Sequence, residues 1–353
     1  MENLLIDLGF DDFFRLEGIA EQSYARVIRE HRDRYTVQHI KGINEAEITG
    51  NLRFMAGSRT DLPAVGDWVI INSQVEGTTQ ILEILPRKSI LERKAVHTYG
   101  EKQIIGANID IALIMMAVDR DYNLNRLERF ISIVHAGQIK PVVLLSKSDI
   151  LGKKIIRDKV LSVRNRIKIP EVFAFSNTTG DGLEKIRKLF KKGKTYCLLG
   201  SSGVGKSTLI NLLEGQENLK TKSLSKSTGK GKHTTTYREL RLLKEGGILV
   251  DTPGMREIGL VDNQESIEMT FEEIKELAGN CKFNDCTHTG EPGCAIQQAI
   301  QEGEIDLETL EHFKKLEREV SRFTTSVAEK RKKDKETGKL YKRIKKERKN
   351  KKY

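Results

Sequence analysis

No stretch of this sequence is long and apolar enough to cross a bilayer as a helix. The longest purely apolar run is Ile111 to Val118, between Asp110 and Asp119, whereas a span needs about 20 residues. The first residues, MENLLIDLGFDD, are acidic and lack the charged-then-apolar pattern of a secretory signal. The expectation is a cytoplasmic protein with no membrane partner. Cysteine is scarce too, four in 353 residues, which excludes a disulfide-stapled scaffold. Large aromatics are few, with a single tryptophan at Trp68.

What is present suits a globular chain of two or three domains: 38% hydrophobic and 31% charged residues. The net charge of +11 is localised. Residues 330–353 hold 14 Lys/Arg against 3 Asp/Glu, and the rest of the chain is balanced. That tail reads equally as a contact for a polyanion or as a solvated, disordered terminus.

Between about Tyr24 and Glu92 five short candidate strands alternate with turn signals: YARVIRE, RYTVQHI, AEITGNL, DWVIINS and TQILEIL. Five strands in so short a span predict a small barrel, with the oligonucleotide-binding (OB) type leading. Tyr24, Tyr35 and Trp68, with Arg26, Arg29, Arg32, Arg34 and Arg53, are its candidates for touching nucleic acid, although Trp68, entering a strand from a Gly-Asp turn, reads better as core. From Asn108 strands and helices alternate, which predicts an α/β sheet with ligand loops at the strand C-termini. Residues 265–330 are mostly helical, with Ile267, Phe271, Ile274 and Leu277 on one face and Leu307, Leu310, Phe313, Leu316, Val320, Phe323 and Val327 on another.

The centre of the α/β region is TYCLLGSSGVGKSTLINLLEG. A short strand over 195–199, with Cys197 in its core, leads to Gly200, Ser201, Ser202, Gly203, Val204, Gly205, Lys206, Ser207 and Thr208. These fit G-x-x-x-x-G-K-[ST] in the strand–loop–helix setting that gives the pattern meaning. The glycines let backbone N–H groups turn toward phosphate oxygens, Lys206 adds a point charge, Ser207 supplies a hydroxyl for Mg²⁺, and the helix N-terminus adds its partial positive charge. Downstream, GGILVDTPG brings Asp251 to the same Mg²⁺ and offers the Gly254 backbone to a γ-phosphate. Upstream, Ser146, Lys147, Ser148 and Asp149 match the guanine element [NT]-K-x-D with serine in its first place. The Asp149 carboxylate can accept from guanine N1–H and N2–H₂, a donor pair that adenine lacks. Ser176 and Asn177, in SNT, match a supporting S-A-x element only at serine. The guanine elements precede the phosphate loop, so the order of an ordinary GTPase is circularly permuted.

Met255 follows Gly254 where Ras-like GTPases carry the water-orienting glutamine, so hydrolysis needs another group. His233, in GKGKHTTT, is a candidate, although taken alone a surface-loop histidine without a role is the commoner case. A second cluster, CKFNDCTHTGEPGC, spaces Cys281, Cys286, His288 and Cys294 as C-x₄-C-x-H-x₅-C. Three thiolates and an imidazole suit one tetrahedral, structural Zn²⁺.

SKSD, SNT, GSSGVGKST, GKGKHTTT, DTPGM and the Cys/His spacing, in that order, resemble the RsgA family of ribosome small-subunit-dependent GTPases over roughly residues 20–330. The resemblance implies an OB barrel, a permuted GTPase domain and a zinc domain, placed here at 1–95, 96–262 and 263–330, with a basic tail at 331–353. It implies GTP hydrolysis to GDP, stimulated by the small ribosomal subunit during its late maturation. It also implies the subunit and its rRNA as partners and His233 as the catalytic residue. One of Thr234, Thr235 and Thr236 would complete the Mg²⁺ shell, Thr235 being preferred. A monomer is expected. The competing readings are a GTP-gated RNA-binding clamp and a P-loop NTPase acting on other nucleic acid.

Overall fold

A computed structural model describes residues 2–31, 34–72, 78–94, 102–169, 171–215, 239–244, 246–251 and 264–321. The chain divides into two compact units. One is Met1–Arg93 with Gln103–Gly259, the other Lys94–Lys102 with Leu260–Tyr353. Among the described residues no helix is long and apolar enough to cross a membrane.

The first unit opens with a short helix, α1 (Glu2–Asp7). Leu5, Leu8, Phe10 and Phe14 from this N-terminal segment bury themselves against Tyr24 and Trp68. The barrel follows: β1 (Tyr24–His31), β2 (Arg34–His39), β3 (Gly42–Ile48), α2 (Gly50–Met55), β4 (Trp68–Asn72) and β5 (Thr79–Ile84). Its strands pair in the order β1-β2-β3-β5-β4, and β4 returns to β1, so the five strands close. Alternate residues, Ala25, Val27, Tyr35, Val37, Ala46, Val69, Ile71 and Ile81, fill the interior.

Two expectations change here. The third strand lies four residues earlier than AEITGNL suggested. The Thr49 hydroxyl caps a helix instead, accepting from the Leu52 N–H at 3.3 Å, and the remaining residues enter α2. The aromatic and basic set also fails as a stacking surface at three positions. Tyr24, Tyr35 and Arg26 are buried (0%, 3% and 1% exposed), and Trp68 is core as expected. The Arg26 guanidinium donates to the carbonyls of Leu8, Gly66 (3.2 Å) and Asn108 (3.3 Å) and to Thr195 Oγ1 (2.9 Å). It is a strut between the barrel and the strand that carries the phosphate loop. Burial lowers its pKa to about 10, so it stays charged at neutral pH. Beside it the chains approach so closely that a Cβ on Gly66 would lie 2.1 Å from the Ala107 carbonyl oxygen.

A two-stranded ribbon, β6 (Ile90–Lys94) with β7 (Lys102–Ala107), comes next. Then follow β8 (Ile111–Ala117), α3 (Leu124–Ala136), β9 (Lys140–Ser146), α4 (Lys153–Ile167), β10 (Val172–Ala174), α5 (Leu183–Arg187), β11 (Thr195–Gly200), α6 (Lys206–Leu213), β12 (Glu239–Leu242) and β13 (Ile248–Asp251). In space the order is β10-β9-β8-β11-β13-β12. All neighbours are parallel except β12, which runs antiparallel to β13. The parallel strands are near-continuous apolar runs because both faces are covered, with Leu113, Met115, Leu144, Leu198 and Leu249 in one core. β12 also pairs with barrel strand β1 at Arg29↔Glu239, where the two side chains form an ion pair. One sheet therefore runs from the α/β region into the barrel. On α3 and α4, Glu128 and Arg166 form a buried ion pair at 2.7 Å.

The second unit holds α7 (Gln264–Thr270), α8 (Glu272–Gly279), α9 (Ala295–Glu302) and a helix over residues 307–321. Ile267, Phe271, Ile274, Leu310, Phe313, Leu316 and Val320 are buried as their spacing predicts. Leu307 is an exception, 54% exposed in the first turn of its helix. Phe323, Val327 and the basic tail lie outside the described residues.

Candidate functional site

Parallel pairing brings the C-terminal ends of β8, β9, β10, β11 and β13 to one edge of the sheet. In register, Ser146 of β9 sits opposite Ala117 of β8, and Gly200 of β11 opposite Met115. The residues after those ends are the sequence-predicted ones: Ser146–Asp149 after β9, Ser176 and Asn177 after β10, Gly200–Thr208 after β11, and Asp251 closing β13. The guanine elements, far upstream in the chain, thus stand beside the phosphate loop. His233, Thr235 and Gly254 lie outside the described residues, as do Thr234, Thr236 and Met255.

The loop's geometry depends on its glycines. Gly200 has φ +141°, and a Cβ there would meet the Met115 carbonyl oxygen at 2.2 Å. Gly205, at φ +98°, ends the loop at the N-cap of α6, where a Cβ would come 2.6 Å from Asn177 Nδ2. Lys206 Nζ donates to the carbonyls of Gly200 (2.6 Å) and Ser201 (2.7 Å), curling back over the loop. Val204 is buried and anchors the loop in the core. Ser202, Gly203 and Ser207 are exposed, and Thr208 is half-buried.

Two side chains from the guanine elements hold successive loop carbonyls. Ser146 Oγ, fully buried, donates to Val204 O at 2.7 Å. Asn177 Nδ2 donates to Gly205 O at 3.0 Å. These are the two positions where the sequence departs from the usual motif residues. The serine hydroxyl braces the loop although it lacks the amide of the usual asparagine. Asn177 Oδ1 is buried without a protein partner. Ser176 Oγ accepts from the N–H groups of Thr178 and Thr179, both at 3.1 Å, and fixes that turn. Lys147 takes a left-handed backbone, φ +60°, while Ser148 and Asp149 form a short 3₁₀ turn that leaves Asp149 exposed.

The sequence reading missed the turn between β8 and α3. Asp119 Oδ2 pairs with Lys147 Nζ at 2.8 Å. That lysine, followed by the Asp121 N–H, holds the Asp119 carboxyl below its ordinary range. Asp121 pairs with Arg126, whose Nη1 donates to Ser201 Oγ at 2.6 Å. The acid-basic-acid triplet Asp119-Arg120-Asp121 directly after a buried strand was the only signal available.

In the second unit Cys281, Cys286, His288 and Cys294 come together, their ligand atoms all within 4.8 Å of one another. Cys281 Sγ lies 3.6 Å and Cys294 Sγ 3.5 Å from His288 Nδ1, and the two sulfurs are 3.9 Å apart. A tetrahedral zinc with ordinary bond lengths requires about 3.6 Å for S···N and about 3.8 Å for S···S, so the donor set fits. Burial, then the nearby Lys314, lowers the His288 pKa and favours the neutral imidazole that a metal takes. The His288 carbonyl accepts from Gln297 Nε2 and Lys314 Nζ, each at 2.8 Å. Glu291 accepts from the N–H groups of Thr287 (2.8 Å), Thr289 (2.8 Å) and Gly290 (3.1 Å), tightening the turn between the second and last ligands.

A family model described as RsgA GTPase matches residues 84–261. A second, for ABC transporters, matches residues 183–343, less than half of the chain; the phosphate-loop pattern it includes is common to many nucleotide-binding proteins. The chain is 42% identical over 301 residues to the small ribosomal subunit biogenesis GTPase RsgA 2 of Lactiplantibacillus plantarum, covering 85% of this chain and 84% of that one. It is 40% identical over 323 residues to the protein of the same name from Listeria monocytogenes, covering 89% and 88%. Among solved structures, YjeQ from Thermotoga maritima matches with TM-score 0.63 at 25% identity, covering 84% of this chain and 98% of that one. YloQ, titled a circularly permuted GTPase, shares the fold with TM-score 0.62 at 23% identity, covering 87% and 98%.

Proposed function

This chain belongs to the RsgA GTPase family, and from that premise we propose that it hydrolyses GTP to GDP and phosphate in the biogenesis of the small ribosomal subunit. The names of its relatives support the biological setting. The observation that carries the chemistry is the Ser146–Val204 hydrogen bond, which ties a guanine motif to a phosphate loop across 58 positions of chain.

In this reading Asp149 accepts from guanine N1–H and N2–H₂, the Lys147 stem packs on the purine, and Ser148, Ser176 and Asn177 shape the base pocket. The backbone of Gly200–Thr208 and the Lys206 ammonium take the phosphates, with Gly254 at the γ-phosphate. Ser207, Asp251 and Thr235 hold Mg²⁺. Oxygen donors are what Mg²⁺ takes, and the exposure of Ser207 in the first turn of α6 supports its part. Bound there, Mg²⁺ neutralises phosphate charge. With Met255 in place of a water-orienting glutamine, His233 handles the proton of the attacking water. Turnover is slow alone and rises when the small subunit docks. Cys281, Cys286, His288 and Cys294 would hold a structural Zn²⁺, because four protein ligands would leave no place for a water. The protein works in the cytoplasm as a monomer, and its basic tail is suited to rRNA.

The test is GTP turnover with and without purified small subunits, together with co-sedimentation in GDP, GTP and a non-hydrolysable analogue. Stimulation by subunits and tighter co-sedimentation with the analogue are expected. Turnover unchanged by subunits removes the ribosome from the mechanism. His233→Ala should lower stimulated turnover while nucleotide affinity holds.

A further inference from the structure

Between the guanine motif and the phosphate loop lies a segment that no motif covers. β8 ends at Ala117, and the chain turns through Asp119 and Asp121 into α3. A continuous set of contacts crosses this turn. Lys147 Nζ meets Asp119 Oδ2 at 2.8 Å, and Asp119 Oδ1 accepts from the Asp121 N–H at 3.0 Å. Asp121 pairs with Arg126, and Arg126 Nη1 donates to Ser201 Oγ at 2.6 Å. The Asp121 carboxylate is also held by the Ala117 N–H at 3.4 Å, and Asn123 caps α3 through the Arg126 N–H at 2.9 Å. Both ends of the turn are therefore fixed to the scaffold. Lys147 sits in a left-handed conformation that residues other than glycine adopt uncommonly. Asp119 is the anionic partner that fixes its ammonium.

We infer that the Asp119–Asp121 turn, with Arg126, is a positioning element of the nucleotide site, linking the lysine of the guanine motif to Ser201 of the phosphate loop. Asp119 holds the Lys147 stem extended where a purine face would rest. Arg126 holds Ser201 at the start of the loop, while Ser146 and Asn177 hold Val204 and Gly205 at its end. The inference rests on the GTPase reading of the site and adds residues that none of its motifs contains. The four side chains are partly exposed, 28% for Asp119, 38% for Lys147, 20% for Asp121 and 38% for Arg126. The effect of each pair is accordingly modest, and it resides in geometry more than in stability.

The test is GDP and GTP affinity, measured by titration of a fluorescent nucleotide on the full chain. Asp119→Asn keeps the shape of the turn and removes the charge. It should weaken GDP and GTP by the same factor, about fivefold, and the loss should fall on KM rather than kcat. Asp119→Glu, which keeps the carboxylate, should recover most of it. Arg126→Gln should weaken both nucleotides to a similar degree. In the double variant the losses should fall short of their product, because the two residues act through one turn. An Asp119→Asn affinity within about twofold of the parent, a loss confined to kcat, or losses that simply multiply would each overturn the proposal. A parent protein that binds no guanine nucleotide would instead sink the GTPase reading itself. Circular dichroism and melting without nucleotide separate misfolding from misplacement. If Asp119→Asn does not fold, a failure of folded Arg126→Gln to weaken either nucleotide overturns the proposal.

Discussion

Ser146 Oγ and the Val204 carbonyl meet at 2.7 Å, both residues fully or nearly fully buried, although 58 positions of chain separate them. The bond closes the site across the permuted order. Removing the hydroxyl leaves a buried carbonyl without a donor, at a cost of about 1–2 kcal/mol. Ser146→Ala should therefore weaken GDP and GTP by roughly five- to thirtyfold. Calorimetric titration checks this; unchanged affinity would mean that the phosphate loop holds its shape without the brace.

Glu128 and Arg166 form a 2.7 Å ion pair whose side chains are only 2% and 8% exposed. Glu128→Ala leaves the buried guanidinium without its carboxylate, with the Asn125 amide oxygen as a neutral partner, and should cost about 3 kcal/mol in urea unfolding. The double change Glu128→Leu with Arg166→Met should lose much less, since no charge is left unpaired. Equal losses in the two variants would show that shape, not charge, holds α3 to α4.

His135, in the last turn of α3, has its pKa lowered by burial. The folded protein then binds a proton less readily than the unfolded chain, whose histidine titrates near about 6.5. Stability is full above that pH and falls as pH drops toward the folded pKa, because the unfolded state gains the proton first. His135→Gln should flatten the fall of the urea midpoint below about pH 6.5. A parent profile already flat in that window, or a variant as steep as the parent, contradicts the assignment.

One zinc per chain should appear by elemental analysis. Its removal with a strong chelator should unfold α8 and α9, because the binding energy of a structural zinc, about 10–16 kcal/mol, is folding energy. Cys286→Ser should lose the metal and the helical signal of the second unit. Retained helicity after complete chelation would count against a structural role.

Much of this is legible in the amino-acid sequence alone. Motif spacing located the phosphate loop and the Cys/His cluster, and apolar runs located the buried strands β8 and β9. The losses share a cause. Arg26 is one of several arginines in a basic stretch, and nothing local reveals that its partner is Thr195, 169 positions away. Asp119 and Arg126 read as surface charge until folding brings Lys147 and Ser201 to them. The third barrel strand was misplaced because Thr49 can cap a helix as readily as it can extend a strand. Leu307 fits the apolar period of its helix but lies in its first turn, beyond the reach of the core.

The pairing of Arg29 with Glu239 bears on how the protein can be divided. A fragment beginning after the barrel would lose the Arg29↔Glu239 pairing and its ion pair, leaving that edge of β12 open to an added strand. It would also lack Arg26, leaving the Asn108 carbonyl and Thr195 hydroxyl without their donor. The nucleotide-binding half of this molecule is thus no free-standing module. Any attempt to study it alone should carry the preceding strands along.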